Sequence, residues 1–223
     1  MRAAVVKASL LALVAGAGCY DVDGLRSGER GLRIVATDSH GLSTGAHIEQ
    51  HLVEVGPGDL LLLALEVQLG VPLPVALAPE WTLVRSLQTC PGGLQIFHRI
   101  AASPADGDFT VEYPNAEASL AVRTVAVRGV DRAVPFGPIT AAYGDLHTLD
   151  IAPPTTPEQR WIAIGGAQGG TASYRIAGMQ EVMSDGWLSV LFGVPAIVDG
   201  AVAFASTAPS VCSEIVVAAL DPS

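Results

Sequence analysis

Gly56-Pro57-Gly58-Asp59 runs directly into Leu60-Leu61-Leu62-Leu63-Ala64-Leu65. The first four residues are a turn signal. The next six are apolar at both odd and even positions, as in a strand covered on both faces. Glu66, Gln68, Pro72, Pro74 and Pro79 follow within the 60–79 window, which rules that window out as a membrane-spanning helix. Near the C-terminus a second such run, Ile215-Val216-Val217-Ala218-Ala219-Leu220, is again apolar on both faces.

Working outward from these runs, 24 Gly and 15 Pro interrupt the chain too often for long helices. Short stretches rich in Val, Ile, Leu, Thr and aromatics lie between them, the composition of strands. Strands are expected near 32–37, 46–55, 59–68, 80–87, 93–101, 107–113, 118–129, 145–151, 159–167, 186–194, 200–206 and 210–220. Cys90-Pro91-Gly92-Gly93, Pro104-Ala105-Asp106-Gly107 and Val198-Asp199-Gly200 mark turns. Many short strands with turns at this spacing predict an all-β fold, an antiparallel sandwich.

The pattern recurs. Asp59 to Val67 is followed by a Pro-rich turn, Glu80-Trp81-Thr82-Leu83, a hairpin, and a closing strand from Leu120 to Asp131. Gln159 to Ile164 is followed by Asp185-Gly186-Trp187-Leu188, a hairpin, and a closing strand from Ser213 to Asp221. One sandwich built from two pseudo-repeated halves is expected, with Trp81 and Trp187 in equivalent places and 132–158 as the crossing connection.

Several strings carry a family resemblance. Gly58-Asp59-Leu60-Leu61, Pro79-Glu80-Trp81-Thr82-Leu83-Val84, Ile96-Phe97-His98-Arg99-Ile100-Ala101 and Val125-Ala126-Val127-Arg128-Gly129-Val130-Asp131 with Pro135-Phe136 resemble a recurring β-module of secreted bacterial and phage structural proteins. That module reads GDLL, then P-x-GWT-LV, then YYK-x-A, then A-x-RGVD. The resemblance implies a jelly-roll-like sandwich over about 45–221 and brings no catalytic residues with it. Glu80 departs from the module's Gly, and Phe97-His98 from its Tyr pair.

The N-terminus has the layout of an export signal. Arg2 and Lys7 precede the short apolar run Ala8 to Ala17, which ends in small residues. Two cleavage readings stand. Ala15-Gly16-Ala17 fits ordinary signal peptidase, whereas Gly16-Ala17-Gly18-Cys19 resembles a lipobox that would place lipid on Cys19, although Gly16 stands where Leu is usual. Cysteine parity favours the second: the three Cys are Cys19, Cys90 and Cys212, and an odd thiol in an exported chain needs an explanation. Lipid on Cys19 leaves Cys90 and Cys212 free to form a disulfide in an oxidising space; the competing reading makes them two small buried hydrophobes. The expected organisation is a signal peptide at 1–18, a polar tether at 19–31 and one β-sandwich domain at 32–223.

Removing residues 1–18 takes Arg2 and Lys7 from 12 basic residues, leaving 10 against 22 acidic, a net −12 on 205 residues. Such a chain repels phosphate backbones, so nucleic acid is not an expected partner. With 50% hydrophobic and 15% charged residues, most of the chain can bury a core. Membrane contact is expected through the N-terminal lipid only.

No constellation in the sequence demands chemistry. His47, Glu49 and His51 alternate along one strand face, but a strand spreads i and i+4 by about 13 Å, too far for both His to hold one ion. Asp38-Ser39-His40 holds triad residue types without triad geometry. Gly165-Gly166-Ala167-Gln168-Gly169-Gly170 lacks the Lys and Ser/Thr of a phosphate loop and reads as a bulge or wide loop. Trp81, Trp161 and Trp187 are candidate ligand-contact aromatics. His98, between Ile96 and Ile100, is expected to lean into the core with a hydrogen-bond partner. No metal, cofactor or catalytic residue is expected. The sequence points to an exported, non-catalytic surface module for adhesion or assembly with an unidentified glycan or protein partner; a carbohydrate-binding module is the alternative, and a hydrolase has the least support.

Overall fold

The computed structural model describes residues 31–44, 47–68, 77, 80–88, 90, 92–113, 119–143, 146–151, 154–168, 174–206 and 212–223. The expected signal peptide at 1–18, Cys19 and the expected tether up to residue 30 lie outside them.

The described residues form strands and one 3₁₀ turn, Pro104–Gly107. The first half contributes β1 (Arg33–Thr44), β2 (His47–His51), β3 (Leu60–Gln68), β4 (Thr82–Leu87), β5 (Gly93–Ile100), β6 (Asp108–Glu112) and β7 (Ser119–Arg128). The second contributes β8 (Phe136–Tyr143), β9 (Leu146–Asp150), β10 (Arg160–Gln168), β11 (Tyr174–Ile176), β12 (Met179–Ser184), β13 (Leu188–Gly193), β14 (Ala201–Ser206) and β15 (Cys212–Leu220). All pairings are antiparallel.

Each half builds one five-stranded sheet, and the two orders correspond strand for strand. The first is β1-β7-β3-β5-β4; the second, read from its other end, is β8-β15-β10-β13-β12. In each half the pairings nest. β1 pairs β7, β2 pairs β6 and β3 pairs β5, just as β8 pairs β15, β9 pairs β14 and β10 pairs β13. A nested hairpin rolled over itself is the jelly-roll pattern, so the expected architecture holds. In the second half β11 widens the outer sheet to β11-β14-β9, and among the described residues the first half has no counterpart of it.

The halves stack as four layers around three cores. The two five-stranded sheets face each other across a central core that includes Leu60, Leu62, Ala64, Ile162, Ile164, Val216 and Leu220. The outer face of the first sheet is covered by the β2–β6 ribbon over Leu61, Leu63 and Leu65. The outer face of the second is covered by β9, β14 and β11 over Trp161, Ile215 and Val217. This explains the unbroken leucine run: alternate side chains enter different cores, and each Leu from 60 to 65 is at most 1% exposed. Burial of one such side chain stabilises by about 1.5–3 kcal/mol.

Three expectations are corrected. Residues 132–158 are more than a connection, since they contain β8, the second half's counterpart of β1. Pro138 obscures that strand in the sequence, yet it is tolerated because β8 lies at a sheet edge. Trp81 and Trp187 are not equivalent. The counterpart of β4 is β12, and Trp187 sits in the β12–β13 turn, where Asp185 Oδ1 accepts the amides of Trp187 (2.9 Å) and Leu188 (3.0 Å). Finally, Gly165 and Gly166 belong to regular β10, paired on both sides, rather than to a bulge. They are small because a Cβ would collide with the Tyr174 ring at 165 and with the Glu66 carboxylate of the facing sheet at 166. Gly169 and Gly170 lie outside the described residues.

Polar groups clasp the halves together. Arg123 of β7 pairs with Asp185 across the sandwich. Glu214 of β15 crosses in the other direction and accepts the amides of Cys90 (3.0 Å) and Leu94 (2.9 Å). Beside it Cys90 and Cys212 form a disulfide with a Cα separation of 5.6 Å. At the other end of the closing strands Asp131 N–H donates to the Asp221 carbonyl (2.8 Å), and Ser223 N–H to the Gly129 carbonyl (2.9 Å).

Candidate functional site

Two of the strings that carried the family resemblance, Gly58-Asp59-Leu60-Leu61 and Val125 to Asp131, meet at one corner. Asp59, at the entry to β3, is 2% exposed. Its Oδ1 accepts Arg128 Nε (2.8 Å), and its Oδ2 accepts Arg128 Nη2 (2.8 Å) and the Gly56 amide (2.7 Å). Arg128 also donates to the Glu54 carbonyl (2.9 Å). The Asp59 hydrogen bond holds the guanidinium above its ordinary pKa. This bidentate latch joins the start of an opening strand to the end of a closing strand. A hollow of about 670 Å³ lies beside it, lined by 57–59, 128–133 and Ser223. Arg132 lies along its wall, donating to the Pro57 carbonyl (3.3 Å).

The second half repeats the latch with different chemistry. Gln159 is 2% exposed. Its Nε2 donates to Asp221 Oδ1 (2.5 Å), and its Oε1 accepts the Thr155 amide (2.8 Å). Gln159 enters β10 as Asp59 enters β3, and Asp221 leaves β15 as Arg128 ends β7. Both positions fall within the pseudo-repeat of the sequence. A polar residue stands just before each opening strand, but its partner lies more than sixty positions away, so local pattern does not reveal the latch.

The second assembly of side chains is the outer face of the β2–β6 ribbon. Its register opposes His47 to Glu112, Glu49 to Thr110 and His51 to Asp108. The apolar face is buried through Ile48 and Val111, so the charged set points outward. His51 Nδ1 lies 3.2 Å from Asp108 Oδ1, and its Nε2 lies 3.7 Å from Glu49 Oε2. His47 Nε2 stands 4.0 Å from Glu49 Oε1. The Asp108 hydrogen bond, with further help from the charges of Asp108, Glu49 and Asp38, raises the His51 pKa above its ordinary value. Among the described residues no group of three or more His, Cys, Asp or Glu is placed to hold a metal ion.

The remaining candidates do not converge. Trp81 belongs to the outer core under the β2–β6 ribbon, Trp161 to the outer core of the second half, and Trp187 packs against the central core. They share no face. Trp81 instead packs on Phe109 at 5.0 Å and beneath the Arg99 guanidinium at 4.8 Å. Glu80, the departure from the module's Gly, pairs with that Arg99 at 3.0 Å. Asp38, Ser39 and His40 lie along β1, where Asp38 accepts the amides of Ser39 (2.7 Å) and His51 (2.6 Å). His98 leans inward as expected but is corrected in one respect. Its Nδ1 has no hydrogen-bond partner among the described residues, and the ring meets Phe136 edge-on at 5.0 Å. Desolvation lowers its pKa.

Glu66 and Glu214 gather around Gly166 in the central core, at 0% and 1% exposure. Two carboxylates sealed from solvent cannot meet a substrate, and Glu214 is committed to backbone amides. Compared with known proteins, the chain matches no family model, no curated protein and no solved structure.

Proposed function

We propose that this chain is an exported, lipid-anchored, non-catalytic surface module for adhesion or assembly. The observation that carries the reading is the Cys90–Cys212 disulfide. Structural disulfides persist in oxidising compartments. Of the three cysteines, only Cys19 is then left over, and it stands in the lipobox-like string Gly16-Ala17-Gly18-Cys19. A tether of about a dozen polar and small residues would hold the β-domain away from the bilayer.

Adhesion or assembly is favoured over glycan stacking because the three tryptophans are divided among three cores instead of forming one exposed platform. It is favoured over hydrolysis because the paired buried carboxylates are enclosed between the sheets. Fractionation of cells expressing wild type and Cys19→Ser tests the anchor. Wild type is expected in the membrane fraction and the variant in the soluble fraction. Equal partition of the two would refute it.

A further inference from the structure

The hollow of about 670 Å³ beside the Asp59–Arg128 latch falls in the size range that small ligands occupy. Two guanidiniums rest there on one turn. Gly56-Pro57-Gly58-Asp59 closes as the Asp59 amide donates to the Gly56 carbonyl (3.1 Å). A Cβ on Gly58 would collide with the Arg132 guanidinium, and one on Gly56 would stand 3.1 Å from Arg128 Nη2. The bare glycines therefore make the room in which both cations sit. The matching turn of the second half, Thr156-Pro157-Glu158-Gln159, closes by the same bond (3.3 Å) but carries side chains at both glycine places. Its latch joins the Gln159 amide to the Asp221 carboxylate, and one guanidinium, that of Arg160, donates to the Pro157 carbonyl (2.9 Å). A turn of this fold does not need a pair of guanidiniums to close.

The pair also keeps hydrogen-bonding capacity that the fold does not use. Arg128 donates through Nε and Nη2, and Arg132 through Nη2 alone. Among the described residues Arg128 Nη1 and Arg132 Nη1 and Nε have no protein acceptor. Asp59 fixes the plane of Arg128 and balances its charge. Arg132 forms no ion pair among the described residues, so its charge is left for a ligand. The planar fork of a guanidinium matches a carboxylate. The same wall carries an acceptor. Asp131 Oδ1 takes the amides of Ala133 (2.8 Å) and Val134 (3.2 Å), and among the described residues its Oδ2 accepts nothing. Guanidinium donors with a free carboxylate oxygen suit a ligand that brings one carboxylate and a hydroxyl. A more highly charged anion would meet Asp131 and a chain of 22 acidic against 12 basic residues.

We propose that this hollow binds a hydroxycarboxylate, with Arg132 and Arg128 holding its carboxylate and Asp131 accepting its hydroxyl. Uronic acid residues carry that chemistry on surface glycans. Naming a glycan as the source rests on the adhesion reading above. Such a residue is held by charge and hydrogen bonds, so it needs no tryptophan platform.

Isothermal titration calorimetry of the full chain with galacturonate at low salt tests it. Saturable binding of one galacturonate per chain is expected, weakening as salt is raised. Arg132→Gln loses one bond to the Pro57 carbonyl and should still fold, as a melt would confirm, yet bind galacturonate about 10-fold or more weakly. Asp131→Asn should weaken galacturonate relative to acetate. Lactate bound as tightly as galacturonate would uphold the site but overturn the glycan as its source. No binding at any galacturonate concentration would overturn the proposal, as would equal binding of neutral galactose, tighter binding of inorganic phosphate, or a folded Arg132→Gln that binds like wild type. Absent binding alongside Cys19-dependent membrane partition would strike this site and leave the anchored module standing.

Discussion

Replacing Asp59 by Ala removes an acceptor from three charge-assisted hydrogen bonds, two from Arg128 and one from the Gly56 amide. Loss of one partner of a fully buried pair costs about 3–5 kcal/mol, because the other charge is left without compensation. Here the Asp59 side chain is 3% exposed but Arg128 is 38% exposed, so water recovers part of the cation's solvation. The Glu54 carbonyl also continues to hold Nη2. The expected loss is therefore about 2–3 kcal/mol. For a domain of this size that lowers the melting temperature by roughly 4–12 °C. Thermal and urea melts followed by circular dichroism would read it. A single transition is expected, because the central core belongs to both halves. Asp59→Asn keeps an acceptor for the Gly56 amide and should fall between wild type and Asp59→Ala. Gln159→Ala, at the matching place of the second half, loses three hydrogen bonds, one of them long at 3.5 Å, and should cost about 1–3 kcal/mol. If Asp59→Ala stays within about 0.5 kcal/mol of wild type, the reading of the Asp59–Arg128 corner as a latch is wrong.

Gly166→Ala drives a methyl group into the Glu66 carboxylate of the facing sheet and should destabilise by about 1–3 kcal/mol in the same melts. The disulfide closes a loop with a sequence separation of 122, for which chain entropy gives about 4–5 kcal/mol. The double variant Cys90→Ala, Cys212→Ala should lose up to that amount, read as a drop in urea midpoint. For His98 the folded pKa is lowered by burial, so between it and the unfolded value the unfolded chain binds more protons. Its contribution is fully present above pH about 6.5 and is lost as pH falls through the folded pKa. His98→Leu should make stability less sensitive to acidification over that window, measured as urea midpoints across a pH series.

Local pattern carried the strand content and the repeat, because an alternation of period two and doubly apolar runs report burial directly. Leu60 to Leu65 foretold a strand covered on both faces, and the structure supplies the two covers. Where tertiary position overrides local preference, the sequence was silent or misleading. Pro138 argues against a strand unless the edge location of β8 is known. β12 lies in Met179-Gln180-Glu181-Val182-Met183-Ser184, where Glu181 and the methionines hide a strand that takes its pairing from β13. Gly165-Gly166 resembled a loop because nothing local reveals that Tyr174 and Glu66 fill the space a side chain would occupy. The two latches were beyond reach for the same reason, since each joins residues more than sixty positions apart in sequence. The His51–Asp108 contact also depends on cross-strand register, which the strand's own sequence does not encode.

The most direct test of the account is the intact mass of the mature protein isolated from cells without reduction. The account predicts a chain that begins at Cys19, carries the added mass of a diacylglyceryl-based lipid, and has lost two hydrogens to the Cys90–Cys212 bond. A chain beginning at Gly18 without lipid, or one that retains residues 1–18 with every thiol free, would contradict it.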